Sequence, residues 1–187
     1  MTQLTHMKKE LRTKFRQARR LFDGSMRKEC DGLIASAFLS EYGKYGSFFI
    51  YNSFGDEADT HKITAQLLAM GKSVYLPRVE GKNIVAVPYG ALKKGAYGIE
   101  EPTGEPYFGR IDVAVVPLLA INSRGYRLGY GGGYYDRFLA NQGKTALKIG
   151  ICYDFQIVDK IPAEGHDVPA DAIVTDARIF RRANTEE

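Results

Sequence analysis

Apolar residues Met7, Leu11, Phe15, Ala18 and Phe22 recur at steps of four, four, three and four, which predicts an amphipathic helix with this stripe facing inward. Behind Ser25 as the predicted N-cap, Cys30, Leu33, Ile34, Ala37 and Phe38 mark one side of a second helix, and the two helices are expected to pack as a pair. Aromatic and apolar residues then crowd Ser47 to Phe54, a buried strand. Helical spacing returns from His61 to Met70, with Thr60 as cap and Ile63, Leu67 and Leu68 inward. Val74 to Val79 and Ile84 to Pro88 read as strands joined by the turn EGKN. From Gly90 to Arg110, Gly and Pro interrupt the pattern and no regular element is predicted; loops of that length are usually functional or mobile. Ile111 to Ile121 is the most apolar run and suits a central strand covered on both faces. A glycine-rich segment, a short helix through Asn141 and a strand from Ala146 to Tyr153 follow, and the tail from His166 to Arg182 holds one more short strand, Ala172 to Thr175.

Helices thus alternate with buried strands, which predicts an α/β fold with a mostly parallel sheet in a single domain over residues 1–187. Ligands of such sheets sit beyond the carboxyl ends of the strands. The two loops richest in chemistry, GDEADT and RLGYGGGYYDRFL, both follow predicted strands.

Charge sharpens the picture. The chain of 187 residues has 26 Lys and Arg against 22 Asp and Glu, a net of +4. Residues 1–28 alone hold nine basic and two acidic residues, a net of +7, so the remaining 159 residues carry −3. An anion is therefore expected to meet the amino-terminal helix. Cys30 and Cys152 form no CxxC pair, which removes thiol-redox and zinc-ribbon sites and points to a reducing compartment. No run approaches eighteen apolar residues and the first residues lack a signal-peptide core, so a soluble, cytoplasmic protein is expected.

Standard nucleotide fingerprints fail: GxGxxG needs glycine where Tyr134 stands, and a Walker loop ending at Gly143, Lys144 and Thr145 needs glycine where Phe138 stands. In RLGYGGGYYDRFL, Gly129, Gly131, Gly132 and Gly133 leave backbone amides free to close around an anion, Arg127 suits a phosphate and Asp136 suits a phosphate-bound magnesium ion. A tight strand-to-helix turn, with Asp136 in the helix's first turn, is the competing reading. Lys8 and Arg12, four apart, share a helix face and suit a phosphate or plain solvation. Asp56, Glu57 and Asp59 suit either the donors of a polar heterocycle or capping of the next helix. Asp167 or Asp171 can complete a metal shell, whereas His166 reads as structural or exposed. Tyr134 and Tyr135 stand in a polar loop where a flat ligand can stack.

The segment RLGYGGGYYDRFL resembles the signature of the 5-formyltetrahydrofolate cyclo-ligase family, also called 5,10-methenyltetrahydrofolate synthetases. The resemblance covers almost the whole chain, through KKELR, FGDEADT, PRV, GIEEP and DVPADAIVTD in order. It implies a three-layer α/β fold of the sugar-phosphate isomerase and CoA-transferase type. It also implies a monomeric enzyme that uses ATP and magnesium (Mg2+) to convert 5-formyltetrahydrofolate, free or polyglutamylated, to 5,10-methenyltetrahydrofolate. By position it implies ATP contacts at Lys8, Lys9, Glu10, Leu11 and Arg12 and along Arg127, Leu128, Gly129, Tyr130, Gly131, Gly132, Gly133, Tyr134 and Tyr135. Phe54, Glu57 and the wall from Gly131 to Tyr135 are implied folate contacts, Asp136 and Asp171 magnesium ligands, and Arg127, Tyr134 and Asp136 the catalytic set. One departure stands out: the position of Tyr130 is basic in some members, so part of that phosphate contact is expected to be either missing or supplied by Arg78 or Lys148. With no tryptophan in the chain, pterin stacking falls to Tyr or Phe.

The implied chemistry transfers the terminal phosphoryl of ATP to the formyl oxygen, giving an iminium phosphate that nitrogen 10 attacks before phosphate leaves. Such transfer asks for positioning and charge neutralisation rather than a protein nucleophile. The competing functions are a non-catalytic nucleotide- or nucleic-acid-binding paralogue using the basic helix, and a sugar-phosphate isomerase. No recognised nucleic-acid module is present, and an isomerase leaves Lys8, Arg12 and Asp171 unexplained. Neither nucleic acid nor membrane is an expected partner.

Overall fold

The computed structural model describes residues 3–182. Two helices open it, α1 (Gln3–Leu21) and α2 (Gly24–Tyr42), followed by β1 (Ser47–Ile50), α3 (His61–Ala69), β2 (Ser73–Glu80), β3 (Asn83–Pro88), β4 (Leu92–Lys94) and β5 (Glu100–Pro102). Then come β6 (Val113–Val116), β7 (Ala120–Ile121), β8 (Arg127–Leu128), α4 (Tyr134–Ala140), β9 (Leu147–Ile151), β10 (Ala172–Val174) and β11 (Ile179–Arg181).

Seven strands form the central sheet in the order β11-β10-β9-β6-β1-β2-β3. The inner five are parallel, and β3 and β11 close the edges antiparallel. This is the α/β architecture that the alternation of elements predicts. Successive strand residues point to opposite faces, and here both faces are covered. Phe48, Ile50, Val113 and Val115 pack with Ile34 and Phe38 of α2 and Ile63 and Leu67 of α3. Phe49, Ala114 and Val116 face the other way, onto Phe138 and Leu139 of α4, with the Phe49 and Phe138 rings stacked at 4.1 Å.

Several local expectations need correction. Asp23 rather than Ser25 caps α2, its Oδ1 accepting from the amides of Ser25 and Met26 at 2.9 and 3.1 Å. The first two helices do not pack as a pair: α1 lies on the β7–β8 ribbon, while α2 packs with α3 and against β10. Met7 and Leu33 are exposed, and Arg19 and Ala35 are buried instead. Thr60 stands at the N-cap of α3 without capping it; its hydroxyl donates to the Tyr51 carbonyl at 2.6 Å, and Asp59 Oδ1 takes the His61 amide at 2.9 Å.

Strand pairing after Ser47 stops at Ile50, which leaves Tyr51 to Phe54 in the loop beyond the sheet. The apolar run Ile111 to Ile121 is two pieces, because regular pairing ends at Val116, before Pro117, which has no amide to donate. Ala120–Ile121 instead pairs with Arg127–Leu128. The segment from Gly90 to Arg110 does carry regular structure, the β4–β5 ribbon. Tertiary contacts hold it where local pattern does not: Arg78 Nη1 donates to the Gly104 carbonyl at 2.6 Å, and Asn52 Nδ2 to the Glu100 carbonyl at 3.1 Å. The tail holds two strands, not one.

Candidate functional site

Beyond the carboxyl ends of β1 and β6 lies a cavity of about 790 Å³, walled by α1, the loop after β1, the β4–β5 ribbon and the glycine-rich loop. Open parallel sheets bind ligands at this end. Of the residues singled out in the sequence, Phe54, Glu57, Tyr130, Gly131, Gly132, Gly133, Tyr134, Tyr135 and Asp136 line it.

At one end the loop GDEADT presents Glu57. Its Oε2 accepts from the Phe54 amide at 2.9 Å and its Oε1 from the Tyr130 hydroxyl. Arg19 stands behind both, donating from Nη1 to Tyr130 Oη at 2.9 Å and pairing through Nη2 with Asp56 at 2.7 Å. Burial lifts the Glu57 carboxyl above the usual glutamate range, against the hydrogen bonds from Tyr130 and Phe54. Burial, then the Glu57 charge, pushes the Tyr130 phenol up, so it remains a donor. Tyr130 therefore reaches Glu57, and neither Arg78 nor Lys148 lines the cavity: Arg78 is held by Gly104 and Glu80, and Lys148 by the carbonyls of Lys144 and Ala146. Arg19 was lost among the basic residues of α1. Its step of four from Phe15 is the signal that places it on the inward face. Within the acidic loop Asp59 caps α3, while Asp56 and Glu57 face the cavity.

The opposite end is the glycine-rich loop. Gly131 has φ 107° and Gly133, the N-cap of α4, has φ 66°, values that favour glycine. Arginines tie down the loop's carbonyls: Arg12 Nε donates to Gly129 O and Arg137 Nη2 to Gly132 O, each at 2.9 Å. The amides of Gly131, Gly132, Gly133 and Tyr134 donate to no described residue. Such a run of free amides is a concave anion site. Lys8 reaches past the loop to Glu164 at 2.7 Å and Asp167 at 3.1 Å; burial opposes its charge, but these two carboxylates hold its ammonium above the usual range. Leu11 and Leu128 belong to the apolar patch around Phe15. Lys9 and Glu10 are exposed, with Glu10 paired to His6, so within KKELR only Lys8, Leu11 and Arg12 face inward.

Arg127 differs from its expected place. Its buried guanidinium pairs with Asp136 Oδ1 at 2.8 Å and donates to the Val168 carbonyl at 2.5 Å, and it does not line the cavity. Asp136 Oδ1 also accepts from the Val168 amide at 3.1 Å, which leaves Oδ2 without a partner. That oxygen on a cavity-lining carboxylate suits magnesium, which takes one or two carboxylates besides phosphate oxygens. Asp171 does not join it: its oxygens accept from the Lys148 amide at 2.9 Å and from Arg182 at 3.2 Å. Among the described residues no group of three or more His, Cys, Asp or Glu converges on a metal position. His166 is exposed, 3.7 Å from Asp167.

Tyr134 and Tyr135 divide their tasks. Tyr135 packs against Phe49 beneath the cavity, with its phenol pushed well up by burial. The Tyr134 hydroxyl meets that of Tyr97 across the cavity mouth at 3.0 Å. Tyr97 is the one non-glycine residue with positive φ (60°) among the described residues. Tyr97, Asn52, Arg16 and Glu101 also line the cavity; the sequence marked only Glu101, and only as part of GIEEP.

A family profile described as the 5-formyltetrahydrofolate cyclo-ligase family matches residues 4–176. The 5-formyltetrahydrofolate cyclo-ligase of Mycolicibacterium smegmatis is 33% identical over 186 residues, covering 91% of this chain and 94% of that protein. Its counterpart in Escherichia coli (strain K12) is 35% identical over 142 residues, or 70% and 78% of the two chains. Among solved structures, the 5,10-methenyltetrahydrofolate synthetase of Aquifex aeolicus superposes with a TM-score of 0.86 at 32% identity, covering 97% of this chain and 95% of that one. The Mycoplasma pneumoniae synthetase gives 0.73 at 26% identity, covering 90% and 98%. No helix among the described residues is long and apolar enough to cross a membrane.

Proposed function

The chain belongs to the 5-formyltetrahydrofolate cyclo-ligase family and is a ligase of that kind, and from this we propose that it converts 5-formyltetrahydrofolate to 5,10-methenyltetrahydrofolate at the expense of ATP, releasing ADP and phosphate. The observation that carries the reading is a single cavity whose ends differ in chemistry. Glu57 with the Tyr130 phenol lines one part of it, and the unpaired amides of Gly131 to Tyr134 line another together with the Asp136 carboxylate.

On this reading the pterin lies against Glu57 and Phe54, and the triphosphate against the amides of Gly131 to Tyr134, with Arg12 beside them. The γ-phosphoryl passes to the formyl oxygen, nitrogen 10 closes the ring on the activated carbon and loses its proton, and phosphate departs. Protein groups hold the two reactants in line and neutralise charge, which is what phosphoryl transfer requires. Magnesium would be held by Asp136 and would supply neutralisation of the phosphate charge. The enzyme is proposed to act as a monomer in the cytoplasm, on free or polyglutamylated folate.

The nucleic-acid-binding alternative is weaker, because much of the basic helix is engaged internally. Lys8, Arg12 and Arg19 of α1 have the partners given above, and Arg27 of α2 donates from Nη2 to the Arg19 carbonyl at 2.5 Å. The test is direct: protein mixed with 5-formyltetrahydrofolate, ATP and magnesium should develop the near-ultraviolet absorbance of the methenyl product. Folded protein that gives no signal would refute the reading.

A further inference from the structure

The motif GIEEP contributes a carboxylate that the proposed chemistry leaves without a task. Glu101, in β5, is 7% exposed and lines the same cavity as Glu57. Its side chain makes no hydrogen bond or ion pair with any other described residue. Its oxygens are not sealed in the core but open onto the cavity, so their acceptor capacity is available to whatever occupies it. The fold holds it there. The backbone on either side is tied, by Asn52 Nδ2 to the Glu100 carbonyl at 3.1 Å and by Arg78 Nη1 to the Gly104 carbonyl at 2.6 Å. On the other arm of the ribbon Gly95 approaches so closely that a Cβ there would fall inside the Glu101 side chain. The ribbon is therefore closed on that side.

Glu57 is in the opposite state, since each of its oxygens already accepts from the protein, one from Tyr130 and one from Phe54. Of the two cavity carboxylates, the one with unfilled acceptor capacity is Glu101. A pterin carries an adjacent pair of donors, its 2-amino group and ring N3–H, and a carboxylate can accept such a pair through two parallel bonds. Resting on the reading above, we infer that Glu101 is the acceptor for the amino edge of the pterin and a determinant of specificity for it. Glu57 then acts as a second wall, preset by Tyr130 and Phe54.

The test is calorimetric titration of 5-formyltetrahydrofolate, and of its 2-desamino-2-methyl analogue, into the unaltered protein and Glu101→Gln, with thermal midpoints measured alongside. Gln offers one acceptor and one donor to a pair of donors, so folate affinity should fall about ten- to a hundredfold. The analogue, lacking the amino group, should bind the two proteins within about threefold of each other. If Glu101→Gln binds folate as the unaltered protein does, or loses folate and analogue alike, the inference is overturned. If the unaltered protein binds no folate, the functional reading itself fails. Should Glu101→Gln not fold, Glu101→Asp keeps the charge but withdraws it by one methylene, and the same pattern of loss is expected.

Discussion

Arg127 and Asp136 form an ion pair at 2.8 Å in which the guanidinium is 4% exposed and the carboxylate 21%. Together they grip both sides of one residue, Asp136 taking the Val168 amide and Arg127 the Val168 carbonyl. The pair thus fastens the first turn of α4 to the segment before β10, and it leaves one Asp136 oxygen for the cavity. A residue that sequence alone offers to a phosphate turns out to orient a carboxylate.

Asp136→Asn keeps an acceptor for Val168 and Arg127 but removes the charge that balances a buried guanidinium, so stability should fall by a few kcal/mol while kcat of the folded protein drops by about a hundredfold or more. Arg127→Met removes the cation and leaves a carboxylate unpaired; urea unfolding should show a loss of about 3–5 kcal/mol. If folded Asp136→Asn keeps the kcat of the unaltered protein, the role of Asp136 is structural.

Arg12 lies against the nucleotide end, with its guanidinium 3.5 Å from where a Cβ at Gly131 would stand. Arg12→Ala should raise the KM for ATP by about tenfold and leave that for folate within about twofold. Steady-state kinetics with each substrate varied decides it, and an equal rise in both constants would contradict the assignment.

Glu57 gives the stability a particular pH dependence. A carboxyl raised in the folded state favours folding below its unfolded value, and that advantage is lost as the pH rises through the folded value. Glu57→Gln cannot ionise, so it should gain on the unaltered protein as the pH climbs above the ordinary glutamate value of 4.5. Thermal unfolding at a series of pH values would reveal this as a widening difference. A constant one would show that burial of the charge is not what matters.

Tyr97 holds the ribbon to α4 from a left-handed backbone conformation. Tyr97→Gly relieves roughly 1 kcal/mol of backbone cost, whereas Tyr97→Phe keeps that cost and removes only the hydroxyl. Both should raise the folate KM by about two- to fivefold with kcat unchanged. Unchanged KM values in both would mean that the phenol pair does not hold the cavity mouth.

The sequence made the parallel core legible because its runs are long and periodic, as Val113 to Val116 and Leu147 to Ile151 illustrate. The glycine-rich loop was legible because glycine suits the positive φ of Gly131 and Gly133, whereas Glu57 stood out only through the resemblance of FGDEADT to the family. What escaped depends on contacts distant in sequence. The three-residue strands β4 and β5 have no pattern of their own and are fixed by Arg78 and Asn52. Arg19 carries the residue type of a solvated face, but the turn set by Phe15 directs it inward onto Asp56 and Tyr130. Glu101 is one acid in an acidic loop until the sheet brings it to the cavity wall.

The docking of α1 also bears on how the molecule assembles. Arg12 and Lys8 meet partners 117 and 159 residues further along the chain, and Phe15 packs among Leu119, Ala120, Leu128 and Ile161. A helix with no surface to cover is marginal in water, and closing so long a loop is slow. The first helix to be synthesised thus waits for the last third of the chain. In refolding followed by pulsed hydrogen exchange, its amides should become protected after those of β1 and β6. The glycine-rich side of the cavity is then the last part to form, and a chain interrupted before β9 carries only β1, β2, β3 and β6 of the sheet, with α1 still undocked.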